Sequence, residues 1–370
     1  VGCALAAGLS GLISYKRAEA GLYSGWDFRI ADDQKLTPAR FYEKLQFKKV
    51  KCTLCPRECV VDDQERGYCG VRENREGAYY TLVHSRPCSI HIDPIEKKPL
   101  FHFLPGTQAL SLATAGCNVN CKFCQNWQIS QVRPEQTKNM DVPPEKIADL
   151  AVSRNSPTIA YTYTEPVIFA EYVYDCAAVS RERGRRNVII TNAYIEPKPM
   201  EKLCEVLDAV KVDLKAYTEK FYREVVIGTL QPVLDILELL IKINMWTEIV
   251  YLVIPTLNDD ENDIKAMCKW IKETLGPDIP LHFTRFYPMY QIKNLPPTPV
   301  STLEMAKSIA DSEGINYVYV GNVPGHPAES TYCPRCKNVV IGRIGFFVKE
   351  INLKDGKCTF CEYPIPGVWV

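Results

Sequence analysis

Three cysteines, Cys117, Cys121 and Cys124, lie within one eight-residue stretch and could bind a metal cluster. Their order is C-x3-C-x2-C, and the aromatic Phe123 precedes the last of them. Iron–sulfur cubanes are usually held by four cysteine thiolates, so three thiolates leave one iron without a protein ligand. An open metal position is where substrate or cofactor chemistry takes place. A structural zinc site is the alternative, but zinc takes four ligands and no fourth Cys or His follows nearby.

The segments around this cysteine run extend the motif. The run follows residues 110–116, an apolar segment with β character, and is flanked by residues 91–103 and 125–130. The cysteine loop is therefore expected to leave the C-terminal end of a strand, where the βα-loops of barrels carry function. Together these motifs resemble those of the radical S-adenosylmethionine (SAM) enzymes. The chain from about Cys52 onward is similar to the radical SAM member of the AmmeMemoRadiSam group and to pyruvate formate-lyase activating enzymes.

This resemblance implies a reaction for the three cysteines. They would hold a [4Fe–4S] cluster whose fourth iron binds the amino and carboxylate groups of SAM. With an electron from reduced ferredoxin or flavodoxin, SAM would be cleaved to methionine and a 5′-deoxyadenosyl radical that abstracts hydrogen from a substrate. A protein substrate, as for activating enzymes, or partner proteins of the AmmeMemoRadiSam system are implied. The radical chemistry belongs to the cofactor, which the protein positions and shields from water.

Side chains at the ends of predicted strands are candidates for binding SAM. The resemblance places the SAM amino group at Thr164 and Glu165, although the glycines of that turn in relatives are absent here. A helix N-cap with an acidic first turn is the alternative interpretation. Strand alternation puts Asp213 and Lys215 on one face, and the resemblance implies that the lysine lies near the SAM carboxylate. The other residues implied to lie near SAM are Phe123, Thr191, Asn192 and His282.

Two further cysteine groups indicate metal sites, because paired Cys-x2-Cys spacing in a long chain favours metal binding over disulfides. The first group has four thiolates, which complete either a tetrahedral zinc site or a second [4Fe–4S] cluster, and the spacing does not decide between them. The second has two knuckles around a strand-like segment and an Asp-Gly turn, which predicts a zinc-ribbon or rubredoxin-like tail that holds zinc. The groups are Cys52, Cys55, Cys59 and Cys69, and Cys333, Cys336, Cys358 and Cys361.

From residue 110 to about 325, strand and helix patterns alternate, which predicts an α/β fold with a parallel sheet. The family resemblance implies a partial (β/α)6 barrel. We expect strands at 110–115, 158–163, 187–191, 209–214, 248–254, 281–286 and 316–321. We expect helices at 36–45, 144–154, 166–183, 199–207, 232–243, 260–275 and 301–313. The expected domains are an N-terminal segment 1–50, a Cys-rich lead-in 51–109, the partial barrel 110–329 and the metal-binding tail 330–370.

Composition narrows the function classes. The chain has 370 residues with 46% hydrophobic and 24% charged residues, which is typical of a globular enzyme. Lys and Arg total 44, as do Asp and Glu, so no net charge favours a nucleic-acid partner or an acidic membrane surface. One alternative, a nucleic-acid-modifying enzyme, would need a basic surface, and the balanced charge does not support it. The other alternative, a non-catalytic electron carrier, would need four ligands at every cluster.

The expected location follows from the cofactors and from the first residues. Thiolate ligands to an oxygen-sensitive cluster need a reducing compartment, so we expect a cytoplasmic protein. Residues 1–13 are apolar but too short to span a membrane, and no transmembrane segment is expected. They could be an apolar N-terminal helix, which we prefer, or the remnant of a twin-arginine export signal. Upstream of the cysteine run, His84, His91 and His102 are either structural or able to orient metal ligands or contact substrate.

Overall fold

The computed structural model describes residues 36–369, so the apolar stretch 1–13 lies outside the described residues. The strands, in chain order, are β1 (Thr37–Pro38), β2 (Tyr42–Lys44), β3 (Val50–Cys52), β4 (Val60–Val61), β5 (Arg72–Arg75), β6 (Ala78–Thr81), β7 (Ser89–Pro94), β8 (Gln108–Ala113), β9 (Thr158–Tyr161), β10 (Arg186–Thr191), β11 (Ala209–Asp213), β12 (Trp246–Val253), β13 (Leu281–Arg285), β14 (Val318–Gly321), β15 (Thr331–Tyr332), β16 (Val339–Ile344), β17 (Phe347–Ile351), β18 (Leu353–Lys354) and β19 (Lys357–Cys358). The α-helices are α1 (Trp127–Ser130), α2 (Pro144–Ser153), α3 (Ala170–Glu182), α4 (Pro197–Cys204), α5 (Glu219–Phe221), α6 (Gln231–Lys242), α7 (Glu261–Trp270) and α8 (Val300–Glu313).

One eight-stranded sheet organises the fold, with strand order β14-β13-β12-β11-β10-β9-β8-β7. Strands β8 to β14 are all parallel, and β7 pairs antiparallel with β8 at the edge. The parallel strands are buried on both faces, which explains their nearly continuous apolar sequences. The alternation of strands and helices confirms the predicted α/β fold. The described strands form an open sheet with edges at β7 and β14, and the (β/α)6 barrel remains an expectation.

The predicted strands and helices of this sheet agree with the structure to within a few residues. The helix expected at 166–183 begins as the 3-10 turn Pro166–Phe169 and continues as α3. The helix expected at 260–275 is α7 followed by the π-helical segment Ile271–Leu275. Among the residues that the structure describes, no helix combines the length and apolarity needed to cross a membrane.

The prediction of a helix at 36–45 was wrong. The segment forms β1, which pairs with β6, and β2, which pairs with β3. Between them Phe41 has a positive φ of 59°, which a continuous right-handed helix does not allow. Pairing with distant strands therefore overrode the local helical spacing, and it brings this segment beside the first cysteine group.

The inner face of the sheet, opposite the helices, is filled at one end by the segment after β7. The backbone N–H groups of Phe101 and His102 donate to the Glu248 carboxylate at 2.9 and 2.8 Å. The tail lies against the same segment, because Arg343 donates to the Phe101 carbonyl at 2.7 Å. The tail and the segment after β7 therefore close the end of the inner face at which the parallel strands begin.

Candidate active site

The loop that carries Cys117, Cys121 and Cys124 follows β8 at the C-terminal edge of the sheet, as predicted. Its backbone is tied to the segment after α5, since Lys122 N–H donates to the Val225 carbonyl at 2.9 Å. Cys121 is buried, while Cys117 and Cys124 are partly exposed. This exposure leaves one side of the loop open to a bound group.

Polar side chains approach two of the three sulfurs. The Ser130 hydroxyl lies 3.1 Å from the Cys124 sulfur, and the Asn192 side-chain nitrogen lies 3.9 Å from the Cys117 sulfur. Burial raises the pKa of Cys121 to about 12, while the nearby Lys215 lowers it. A metal bound here would replace the thiol protons, so binding is expected to release protons.

Glu165 is the centre of a buried hydrogen-bond network that joins two strand ends. Its carboxylate accepts from the Thr191 hydroxyl at 2.6 Å, from Asn192 N–H at 2.8 Å and from Val167 N–H at 3.0 Å. Burial raises the pKa of Glu165 to about 7. Thr164 is fixed beside it by a hydrogen bond of 2.8 Å to the Thr114 carbonyl. The alternative interpretation of Glu165 as an N-cap is confirmed, because its side chain accepts from Val167 N–H and so caps the following 3-10 turn. Its contact with SAM stays a prediction.

The predicted pair Asp213 and Lys215 is formed, with 3.3 Å between the lysine nitrogen and the carboxylate. Burial opposes the charge on Lys215, but Asp213 and the Cys121 thiol raise the pKa of this lysine above its ordinary value. The Lys215 nitrogen also lies 5.9 Å from the centre of the Phe123 ring. Lys215 is therefore a buried cation next to the cysteine loop.

Several polar residues on the inner face were not singled out from the sequence. Lys98 is buried and pairs with Asp93 at 2.6 Å, and its nitrogen lies 3.3 Å from the Tyr163 hydroxyl, which also donates to Asp93. Lys211 is buried and pairs with Asp213. The alternation that pairs Asp213 with Lys215 also places Lys211 on that face, so this residue could have been found. Tyr163 lies 65 positions from Lys98 in the sequence, so their contact gave no such signal.

The histidines considered in the sequence do not share one site, and each contacts different protein groups. His282 is buried, lies 2.8 Å from the Glu248 carboxylate and stacks on Tyr319, so its ring is already occupied by protein groups. His102 is buried and bonds the Tyr319 hydroxyl at 2.6 Å. His84 lies 2.9 Å from Asp175 on the helix-covered side. The ring of His91 alone contacts the Asp93, Lys98 and Tyr163 group, edge-on to Tyr163 at 5.7 Å.

The first cysteine group converges on one small volume beside the cysteine loop. Cys52 N–H donates to the Cys59 carbonyl at 2.9 Å, and Tyr68 N–H donates to the Cys59 sulfur at 3.4 Å. Burial, together with the neighbouring Cys52, Cys69 and Cys59 thiols, raises the pKa of Cys55 to about 12. The four thiols are therefore close enough to interact electrostatically.

The tail cysteines form a compact metal-binding group. Sulfurs of Cys333 and Cys361 lie 3.5 Å apart, those of Cys336 and Cys358 lie 3.7 Å apart, and all four are within 4.8 Å of one another. The backbone N–H of Asn338 lowers the pKa of Cys336 to about 6, which favours the thiolate that metals bind. Strands β16 and β17 form the predicted hairpin, and Asp355 and Gly356 both have positive φ, as the predicted turn requires.

Comparisons with known proteins match part of the chain to a family. Residues 111–269 match the family described as the radical SAM superfamily. The chain is 46% identical over 325 residues to an uncharacterized protein of Methanocaldococcus jannaschii, an alignment that covers 87% of this chain and 97% of the relative. It is 20% identical over 213 residues to the pyruvate formate-lyase 1-activating enzyme of Escherichia coli K12, covering 54% of this chain and 87% of that enzyme. A radical SAM methyltransferase structure from Sphaerobacter thermophilus aligns with a TM-score of 0.48 and 14% identity, over 77% of this chain and 76% of that one.

Residues 111–269 form a domain of the radical SAM superfamily. This domain implies a [4Fe–4S] cluster and SAM, and the residues at the C-terminal edge of the sheet fit both groups. Three neighbouring thiols, two of them partly exposed, can bind three irons of a cubane, and a buried cation and a buried carboxyl lie beside them. The similarity to the activating enzyme is distant and leaves the substrate of this chain open.

Proposed function

We propose that this protein reductively cleaves SAM at Cys117, Cys121 and Cys124 and uses the resulting radical to abstract hydrogen from a substrate. When bound there, a reduced [4Fe–4S] cluster would supply one electron to the SAM sulfonium and so generate a 5′-deoxyadenosyl radical. The observation that carries the proposal is the approach of Asn192 to Cys117, at 3.9 Å. This contact joins the loop after β10 to the cysteine loop and so puts the Glu165 network beside the thiols.

The chain's own residues would bind and orient SAM. The Glu165 carboxylate and the Thr164 hydroxyl can accept from the SAM ammonium group. Lys215 is a buried cation beside Cys121 and can donate to the SAM carboxylate. Phe123 lies under this lysine and would present an apolar surface. The placement of Asn192, Thr191 and Asp213 around the same edge supports one shared SAM pocket.

Of the proposed SAM residues, His282 is supported least by its surroundings. Its ring nitrogen is engaged by Glu248 at 2.8 Å, and the side chain is buried beneath Phe101. A role for His282 would therefore be to position Glu248 and the segment after β7. Direct contact with SAM would require the histidine to give up this buried partner.

The substrate would enter on the inner face, below the SAM residues. Tyr163 precedes Thr164 in the chain and directs its hydroxyl toward Asp93 and Lys98. The distant similarity to an activating enzyme supports a protein substrate, with reduced ferredoxin or flavodoxin as electron donor. The long motifs around the cysteine run support membership of the AmmeMemoRadiSam group. The oxygen-sensitive cluster that they imply needs a reducing compartment, which favours a cytoplasmic site of action.

We also propose that the tail quartet binds zinc. The sulfur separations of 3.5 and 3.7 Å match a tetrahedral ion with bonds of about 2.3 Å, for which sulfurs lie about 3.8 Å apart. The tail reaches the sheet through Arg343 and the Phe101 carbonyl. Zinc would thus fix the tail against the closed end of the inner face.

The test of the proposed function is SAM cleavage by the anaerobically reconstituted protein. With dithionite, the expected products are 5′-deoxyadenosine and methionine, measured by chromatography. Incubation with deuterated cell extract should then transfer label into 5′-deoxyadenosine and so reveal the substrate fraction. A fully reconstituted, folded protein that leaves SAM intact would contradict the proposal.

A further inference from the structure

The first cysteine group, defined here as the N-terminal quartet, consists of Cys52, Cys55, Cys59 and Cys69. It lies in the small antiparallel sheets that precede the main sheet. Cys52 and Cys55 are buried, and Cys59 and Cys69 are partly exposed and pack against the same core. The sequence alone left zinc and iron–sulfur open for this quartet. Two structural observations favour iron–sulfur, and a third connects the quartet to the radical site.

The first observation is the spacing of the sulfurs. A tetrahedral ion holds its four sulfurs about 3.8 Å apart. In the tail quartet two sulfur pairs lie 3.5 and 3.7 Å apart, and all four sulfurs are within 4.8 Å of one another. In the N-terminal quartet, whose residues are all within the described part of the chain, no three sulfurs lie within 4.8 Å of one another. The sulfurs of Cys117, Cys121 and Cys124 likewise do not all lie within 4.8 Å of one another. A cubane binds each thiolate to a different iron and needs the wider arrangement.

The second observation is a buried hydroxyl without a protein partner. Tyr79 is 1% exposed, and its hydroxyl has no hydrogen-bond partner among the described residues. A Cβ placed on Gly67 would lie 2.7 Å from this hydroxyl and 3.7 Å from the Cys59 sulfur, so both border the same glycine. An unsatisfied buried hydroxyl is costly. Sulfur atoms of a bound cluster would accept from it, and such hydrogen bonds set the reduction potential of iron–sulfur clusters.

The third observation is direct packing between the N-terminal quartet and the radical site. Gly116, next to Cys117, has a φ of +98°, and a Cβ there would lie 2.8 Å from the Cys69 carbonyl oxygen. Arg57, between Cys55 and Cys59, donates to the Asn118 carbonyl at 2.9 Å. The two cysteine segments are therefore in direct contact, through the packing of Gly116 against Cys69 and through the hydrogen bond from Arg57 to Asn118.

We propose that the N-terminal quartet holds a second, redox-active [4Fe–4S] cluster that passes electrons to the site at Cys117, Cys121 and Cys124. One electron leaves a low-potential donor of the ferredoxin or flavodoxin class, reduces the second cluster and moves on to the radical site. No bond forms or breaks and no proton is transferred in this step. The metal assignment stands by itself, while the relay rests on the proposed function.

The metal assignment is tested in the full chain with Cys117, Cys121 and Cys124 all changed to alanine. After anaerobic reconstitution this variant should bind about four irons and four sulfides and give the paramagnetic signal of a reduced [4Fe–4S] cluster with dithionite. Adding Cys55→Ser and Cys69→Ser should remove both iron and signal. Zinc without iron in the triple variant overturns the proposal.

The unmutated chain provides a second measurement if the triple variant fails to fold. It should bind about eight irons, and added SAM should perturb the spectrum of about half of them. About four irons, all perturbed by SAM, would overturn the second cluster.

Tyr79→Phe should keep the iron and make one reduction potential more negative, because a donor to the reduced cluster is lost. Tyr80→Phe, on the neighbouring and more exposed side chain, should leave both potentials unchanged.

The relay is tested with two reductants on the Cys55→Ser, Cys69→Ser variant. SAM cleavage driven by reduced flavodoxin should fall to background, while cleavage driven by the small reductant dithionite should persist. Equal cleavage with both reductants would refute the relay and leave the metal assignment to the iron analysis. Loss of cleavage in the unmutated chain, with iron retained in the triple-alanine variant, would refute the proposed function alone.

Discussion

The side-chain nitrogen of Asn192 lies 3.9 Å from the sulfur of Cys117, although the two residues are 75 positions apart. Asn192 N–H also donates to Glu165 at 2.8 Å, so three successive strand ends meet at this point. Parallel strands bring their C-terminal ends to one edge, which is why such distant residues converge. The contact defines the pocket on which the functional predictions depend.

Cys121 is predicted to be indispensable for SAM cleavage. Cys121→Ala removes one of three iron ligands, so 5′-deoxyadenosine formation with dithionite should be abolished while the fold persists. Product is measured by chromatography, and folding by circular dichroism. Cys204→Ala is the control, because Cys204 lies at the end of α4, outside the three cysteine groups. Cleavage of SAM at the unmutated rate by the Cys121 variant would contradict the assignment of the radical site.

Lys215 is predicted to bind the SAM carboxylate. Lys215→Met should weaken SAM binding by about 1–3 kcal/mol, since a charge-assisted hydrogen bond is lost. Equilibrium titration of the anaerobic, reconstituted protein with SAM measures the change. Lys202→Met is the control, because Lys202 is exposed on α4 and pairs with Glu205 at 2.6 Å. Equal SAM affinity in the Lys215 variant and the control would place the carboxylate elsewhere.

SAM affinity is predicted to rise with pH through about 7, where burial places the pKa of Glu165. Below this pH the carboxyl is protonated and neutral, and it attracts the SAM ammonium only weakly. Above it the carboxylate is charged, so the dissociation constant should fall by at most about tenfold per pH unit. Titrations on either side of this pH measure the effect. Glu165→Gln should bind SAM weakly and without this pH dependence, and a persisting slope in that variant would assign the titration to another group.

Cys358 is predicted to hold the tail zinc. Cys358→Ser should lower the zinc content by about one ion per chain, because a tetrahedral site loses one of four ligands. Elemental analysis of the purified protein measures this. Cys204→Ser should retain the zinc. Unchanged zinc content in the Cys358 variant would show that the compact tail quartet is not the zinc site.

Replacement of Gly116, which lies where the cysteine loop packs against the N-terminal quartet, is predicted to destabilise the fold. The φ of Gly116 is +98°, and a Cβ would lie 2.7 Å from a Val71 methyl carbon and 2.8 Å from the Cys69 oxygen. Gly116→Ala should therefore lower the free energy of unfolding by about 1–3 kcal/mol more than Gly184→Ala. Gly184 also has a positive φ of 67°, but no atom lies within 4 Å of its added Cβ. Chemical denaturation of both variants measures the difference, and equal losses would show that the contact is not tight.

The sequence by itself determined the α/β fold, the cysteine loop and the compact tail quartet. Each depends on a pattern within a short stretch, such as C-x3-C-x2-C, a buried apolar run or two Cys-x2-Cys knuckles. Asp213 and Lys215 were predicted together because strand alternation fixes a common face for residues two apart. Such patterns survive folding because the residues involved are neighbours in the chain.

Only the tertiary structure decided which distant groups meet. It turned the expected helix at 36–45 into β1 and β2, buried His282 against Glu248, and joined Lys98 to Asp93 and Tyr163 on the inner face. It also made the sulfurs of the tail quartet closely spaced and those of the N-terminal quartet more widely spaced. Sulfur separations and buried ion pairs depend on how the backbones of separate elements are packed, and local sequence spacing does not specify that packing.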